Sequence, residues 1–145
     1  MNKKVNMFAI FVVLACVICS QSGIAYADIS GKWIYVSNYT NPDGSTGTGV
    51  SEVTVFQNGT EFVADNVATT WYNRQGRLYG KIIDTNPGAD TLAHTRRLIQ
   101  FTRVDIDGGN YVGIRIGFVS ENDDKITGYF IDVNGVEGSF VMTKQ

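Results

Sequence analysis

The sequence predicts an all-β fold, a small antiparallel up-and-down barrel of about eight to nine strands. Three observations carry this. Glycine is frequent, at 16 of 145 residues. After residue 27 it is interleaved with Tyr, Phe, Val, Ile and Thr, and no ten-residue window spaces apolar residues as a helix would. Two stretches near the C-terminus alternate with period two, and turn residues punctuate the whole chain at short intervals.

The first segment reads as a leader. Lys3 and Lys4 precede an apolar run from Val5 to Ser20, too short and too weakly flanked for a stable membrane span. Ala25-Tyr26-Ala27 places small residues where a signal peptidase reads them. Residues 1–27 are therefore expected to be a signal peptide and 28–145 a single barrel domain, periplasmic or secreted. A competing cut is a lipoprotein box, Val13-Leu14-Ala15-Cys16, whose cysteine would be acylated. Leu14 suits that box poorly, and the apolar stretch before it is short.

Strand-like segments follow at 32–38, 49–57, 60–65, 67–73, 77–84, 96–106, 111–119, 125–133 and 136–143. In the clearest, Val112, Ile114, Ile116 and Phe118 share one face, and Tyr111, Gly113, Arg115 and Gly117 the other. Val136, Gly138, Phe140 and Met142 alternate likewise against Glu137, Ser139 and Thr143. In Gly76-Arg77-Leu78-Tyr79-Gly80-Lys81-Ile82, Gly80 sits where a neighbouring aromatic can lie on bare backbone. Asn41-Pro42-Asp43-Gly44, Asn58-Gly59, Asn86-Pro87-Gly88, Asp107-Gly108-Gly109-Asn110 and Asn134-Gly135 supply the turns. So many short strands with tight connections hide their edges most simply by closing. The interior of an eight-stranded barrel holds side chains or one small ligand.

Composition removes several function classes. Both cysteines, Cys16 and Cys19, leave with the leader, and with them disulfides, thiolate metal sites and cysteine nucleophiles. Losing Lys3 and Lys4 takes the formal charge from −2 to −4, which disfavours nucleic acid as a partner. No membrane span is expected in the mature chain.

His94 is the only histidine, so a triad or general base would have to run through it, with Asp90 or Asp84. It lies in a loop, with no nucleophile-elbow sequence. Asp105-Ile106-Asp107-Gly108 invites a calcium reading but lacks the distant glutamate of an EF-hand loop. No catalytic residues, metal or cofactor are therefore assigned. Arg96, Arg97, Arg103 and Arg115 fall on what should be neighbouring strands, beside aromatic residues. Facing the lumen, they would anchor an anionic or carbonyl ligand. Facing out, they would be solvated cations, which is the expectation.

Ile29-Ser30-Gly31-Lys32-Trp33 resembles the first-strand Gly-x-Trp signature of the calycin barrels, the lipocalins and avidins. The resemblance implies that Trp33 closes one barrel end and that a cation late in the last strand, here Lys144, packs over it. The G-x-L-Y-G-K-I stretch at 76–82 also resembles an uncharacterised family of small exported bacterial proteins. Thr70-Trp71-Tyr72-Asn73 resembles a biotin-binding stretch of the avidins, but it stands in mid-chain and biotin is not carried over. The expected binding residues are Trp33, Tyr35, Trp71, Tyr79, Arg97, Phe101 and Arg115. The expected function is a non-enzymatic exported binding module with a small apolar or amphipathic molecule in the barrel mouth. An alternative is a protein-interaction module acting on another exported protein, since Gly-x-Trp barrels of this size resemble a bacterial family of protease inhibitors; that family's disulfide is missing here.

Overall fold

The computed structural model describes residues 27–68, 75–84, 97–107 and 111–145. Eight antiparallel strands lie within them: β1 (Gly31–Thr40), β2 (Thr46–Asn58), β3 (Glu61–Ala68), β4 (Gln75–Asp84), β5 (Arg97–Asp105), β6 (Val112–Val119), β7 (Lys125–Asp132) and β8 (Glu137–Lys144). Each pairs with the next, and β8 returns to β1 with Trp33 opposite Lys144 and Thr40 opposite Glu137. The sheet is a closed barrel, as predicted. One boundary changes: segments 60–65 and 67–73 are a single strand as far as Ala68, because Asp65 and Asn66 stay in register with Thr54 and Val53.

Among the described residues, the turns at 41–44, 58–59 and 134–135 form where their chemistry placed them, while 86–88 and 108–110 lie outside those residues. Gly59 (φ 61°) and Gly135 (φ 77°) turn the β2–β3 and β7–β8 hairpins in a conformation that a Cβ disfavours. Closure then fixes the two faces of every strand. Lumen positions are held by Trp33, Val53, Phe62, Ile82, Phe101 and Phe140, among others, all buried. So much aromatic volume fits only because glycines stand opposite it. A Cβ on Gly80 would overlap the Phe62 ring, and one on Gly128 would come 2.7 Å from Phe140 Cε1. The 76–82 stretch is thus sheet weave, with Gly80 making room for an aromatic.

One end of the lumen is stoppered by the chain itself. Ile29 is fully buried, and its N–H donates to Gln57 Oε1 at 2.8 Å. The Trp33 indole N–H donates to Ile29 O at 2.9 Å. Lys144 Nζ sits 5.7 Å from the Trp33 ring centroid and donates to Asp28 O at 3.0 Å. This is the arrangement that the calycin resemblance implies for Trp33 and Lys144. A cation held over an aromatic face adds about 0.5–1 kcal/mol at an exposed site.

β6 is turned the other way from the order of its hydrophobicity. Gly113, Arg115, Gly117 and Val119 face the lumen, while Val112, Ile114, Ile116 and Phe118 face out. The reason is volume. The lumen beside β6 is taken by Phe140, Tyr111 and the Arg115 side chain, and Gly117 has Phe140 Cζ 3.0 Å from where its Cβ would be.

Candidate functional site

The other end of the lumen is a mouth whose walls come from β1, β2, β5, β6 and β7. It encloses a cavity of about 210 Å³ lined by residues that include Tyr35, Tyr39, Ser51, Arg103, Tyr111 and Arg115. Glycines shape it as they shape the core. A Cβ on Gly113 would lie 2.9 Å from Tyr111 Oη and 3.0 Å from Arg115 Nη1, and one on Gly76 would lie 2.6 Å from Arg103 Nε.

Arg115 is the centre of this end. It is 2% exposed and, among the described residues, is buried along with the polar Ser51 and Asn66. Its Nε donates to Tyr35 Oη (3.2 Å), Nη1 to Gly113 O (3.0 Å) and Nη2 to Tyr111 Oη (3.0 Å). The guanidinium carbon lies 5.2 to 5.9 Å from the ring centroids of Phe130, Tyr111, Tyr35 and Phe101. All these partners are neutral. Among the described residues no carboxylate pairs with it, which is unusual for a charge taken out of water. Burial works against the Arg115 charge, and the Tyr35 and Tyr111 oxygens more than offset it, so the group stays cationic. Burial also pushes the Tyr35 phenol up, against the pull of Arg115.

Arg103 stands beside it. Its guanidinium stacks over the Tyr111 ring at 5.0 Å, and its Nη2 is 3.4 Å from Asp105 Oδ1. Its Nε is buried with no hydrogen-bond partner among the described residues. Burial, and after it the charge of Arg115, pull this guanidinium below the usual arginine range. Asp132, also in the cavity wall, is engaged in its own turn, where its Oδ1 accepts from the N–H groups of Asn134 (2.8 Å) and Val136 (3.0 Å). Two cations thus converge on the cavity with donors to spare. Three of the five N–H groups of Arg115 are used by protein oxygens.

The residues expected from sequence divide into three groups. Tyr35 and Arg115 come together in the cavity wall at the mouth, and Phe101 lies deeper, beneath the guanidinium. The expectation that the arginine face is solvated is corrected for Arg115 and Arg103: closure turns their strand positions inward. Trp33 lies at the stoppered end. Arg97 also belongs to that end, where Nη1 pairs with Asp123 Oδ1 at 2.5 Å and Nη2 donates to Ser120 O (2.7 Å) and Glu121 O (2.8 Å). Tyr79 is on the outer wall, half exposed, because it alternates with lumen-facing Leu78 and Gly80. Trp71, Arg96, Asp90 and His94 lie outside the described residues. Of the calcium candidates, Asp105 faces Arg103, and Asp107 Oδ2 accepts the Gln75 N–H at 3.2 Å. Sequence reasoning named Arg103 only as an anchor on condition that it faced the lumen and left it out of the expected binding residues, and it did not propose Tyr111. Their signal was parity: Tyr111 and Arg115 share a face with Gly113, and small residues face inward in a narrow barrel.

No protein-family model matches the chain, and no curated protein matches it. Among solved structures, a redesigned β-barrel superposes with a TM-score of 0.53 at 14% identity, covering 81% of this chain and 91% of that one. A de novo designed fluorescence-activating β-barrel gives a TM-score of 0.46 at 19% identity, covering 80% and 93%. The similarity to the redesigned barrel is one of fold alone.

Proposed function

We propose that this protein is an exported, non-enzymatic binding barrel whose mouth takes the anionic head of a small amphipathic molecule. The observation that carries this reading is Arg115: a buried cation with no acidic partner among the described residues, beside a cavity and a second arginine with an unused donor. A planar carboxylate matches a guanidinium fork, and the aromatic wall of Tyr35, Tyr111 and Phe130 suits an apolar body. The cavity is smaller than the roughly 300–1,000 Å³ of drug-sized sites. It therefore takes a head group or a small aromatic acid, with any longer tail leaving through the mouth.

The export part of the proposal rests on the leader. A cut after Ala27 would remove a buried residue whose carbonyl accepts from Gln57 Nε2, and would leave a new amino group beside a carboxylate. The Asp28 nitrogen, which the cut would convert to an ammonium, lies 2.9 Å from Asp123 Oδ2. A mature N-terminus at Asp28 would be read directly by N-terminal sequencing of the processed protein.

Thermal-shift and native mass spectrometry with benzoate, a medium-chain fatty acid and the matching alcohol test the ligand class. Both acids should raise Tm and the alcohol should not. Equal responses to acid and alcohol, or none to any of them, would remove the anionic reading and leave Arg115 as a self-satisfied piece of core.

A further inference from the structure

The mouth leaves unexplained the most apolar surface of the molecule, which lies on the opposite side of the wall. Outward positions on β6 and β7, and in the turn after β7, carry Ile114, Ile116, Phe118, Tyr129, Ile131 and Val133, each between 45% and 76% exposed. The register makes these neighbours, since Ile114 pairs with Ile131 and Ile116 with Tyr129. Across β5 the patch continues through Leu98, paired with Phe118, and Gln100, paired with Ile116. From Leu98 to Val104, Val112 to Phe118 and Thr127 to Ile131, no outward position carries a charge. The outer face of β3 and β4 is the contrast: Glu61 stands opposite Lys81, and Arg77 Nε is 3.0 Å from Asp65 Oδ1. Phe56, Val63 and Tyr79 are exposed on that side too, but charged residues flank them there.

We infer that the β5–β7 outer face is the interface of a homodimer, two copies packing this face on itself about a twofold axis. Three points select a second copy. First, the six named side chains expose roughly 600–700 Å² together, above what most monomers leave in one patch and near the ~800 Å² per partner of a standard interface. Second, the face is neutral, so two identical copies meet without like-charge repulsion. Interfaces with transient partners are about as polar as ordinary surface, whereas homodimer interfaces are more apolar. Third, the barrel is closed and offers no strand edge, so association has to use a face, and two sheets stacking about 10 Å apart satisfy it. A lipid belt would need apolar residues on all eight strands. The Asp65–Arg77 pair and the Glu61 and Lys81 positions interrupt it.

Sedimentation velocity of the purified protein from micromolar to several hundred micromolar tests this. A dimer is expected, and Ile116→Glu should weaken it by more than about a hundredfold, because it brings two unpaired carboxylates into one dry contact. Should that variant fail to fold, Ile116→Thr keeps the β-branched shape and should still weaken association about tenfold. Val63→Thr, on the outer face of β3, should leave it unchanged. A wild-type monomer at every concentration overturns the inference, whether or not it floats with phosphatidylcholine vesicles or retains another protein. So does a dimer that Ile116→Glu and Ile116→Thr both leave intact.

Discussion

The two ends of the lumen are built by the same strands and filled by different chemistry. β1 gives Trp33 to the stoppered end and Tyr35, Ser37 and Tyr39 to the mouth. β5 gives Ile99 and Phe101, then Arg103 and Asp105; β6 gives Val119 and Gly117, then Arg115 and Gly113. At the stoppered end Ile29 and Trp33 close the barrel with almost no exposed surface, and at the mouth a cavity remains beside a buried cation. Packing and the proposed recognition are thus separated along one axis. A small domain has only about 5–15 kcal/mol to spare, so a cavity and an uncompensated charge at one end are tolerable only if the other end is packed without either.

The most damaging test of that division is at the boundary. The Phe140 ring stacks on Tyr35 (centroids 5.4 Å apart, 18° between planes), meets Phe101 edge-on at 5.5 Å, and covers the bare backbone of Gly117 and Gly128. Phe140→Ala should cost about 3–5 kcal/mol, because these rings cannot collapse into the void, and a urea midpoint will show it. Arg115→Met should behave differently. Losing the cation leaves the Tyr35 and Tyr111 hydroxyls and the Gly113 carbonyl without their donor, roughly 1–3 kcal/mol for each that water does not reach, but it also removes a buried unpaired charge, whose desolvation costs several kcal/mol. The net change in Tm should be small, while the response to carboxylic acids disappears. A large loss of stability in Arg115→Met would mean that the mouth is as structural as the stopper.

How much of this contrast could be read from the residues alone depends on the strand. In β8 the apolar set Gly138, Phe140 and Met142 is also the lumen set, so period-two alternation gives both strand and face. In β6 alternation gives the strand but not the face, because inward positions are chosen for small volume and outward ones carry Ile114, Ile116 and Phe118. Single-strand hydrophobicity points the wrong way there. The face is settled by partners, since Arg115 sits opposite Phe101 on β5 and Phe130 on β7, both lumen residues. That information is three-dimensional. For the same reason Arg103 and Tyr111 could not be separated from solvated residues, and Arg97, with the same parity as Arg103, proved to belong to the far end.

A gentler probe of the mouth is alkaline titration. Burial holds the Tyr35 phenol above its ordinary value of about 10, with Arg115 opposing. Because the folded-state value is the higher one, stability is unaffected below the unfolded value and falls as pH rises past it, when the unfolded chain can ionise and the folded one cannot. The denaturant midpoint should therefore decline above about pH 10. Tyr35→Phe should lessen the decline. In Arg115→Met it should steepen, since the opposing positive charge is gone.

The smallest expected effect is at the stoppered end, and it tests whether that end relies on charge at all. Lys144 lies over Trp33 and donates to Asp28 O, but it is partly exposed, so its ammonium keeps much of its hydration. Lys144→Met retains the aliphatic cover on the indole and loses the cation with its exposed hydrogen bond to Asp28 O, for which about 0.5–1 kcal/mol is expected. Lys144→Arg should recover it, because a guanidinium stacks on an indole at least as well as an ammonium. Calorimetric Tm values of the wild type and the two variants in low and high salt check this, with the difference between the wild type and Lys144→Met shrinking only slightly as salt rises. If Lys144→Met instead cost as much as Phe140→Ala, the stopper would depend on its cation as its keystone, and the division between an end closed by apolar packing and an end with an unpaired buried cation would fail.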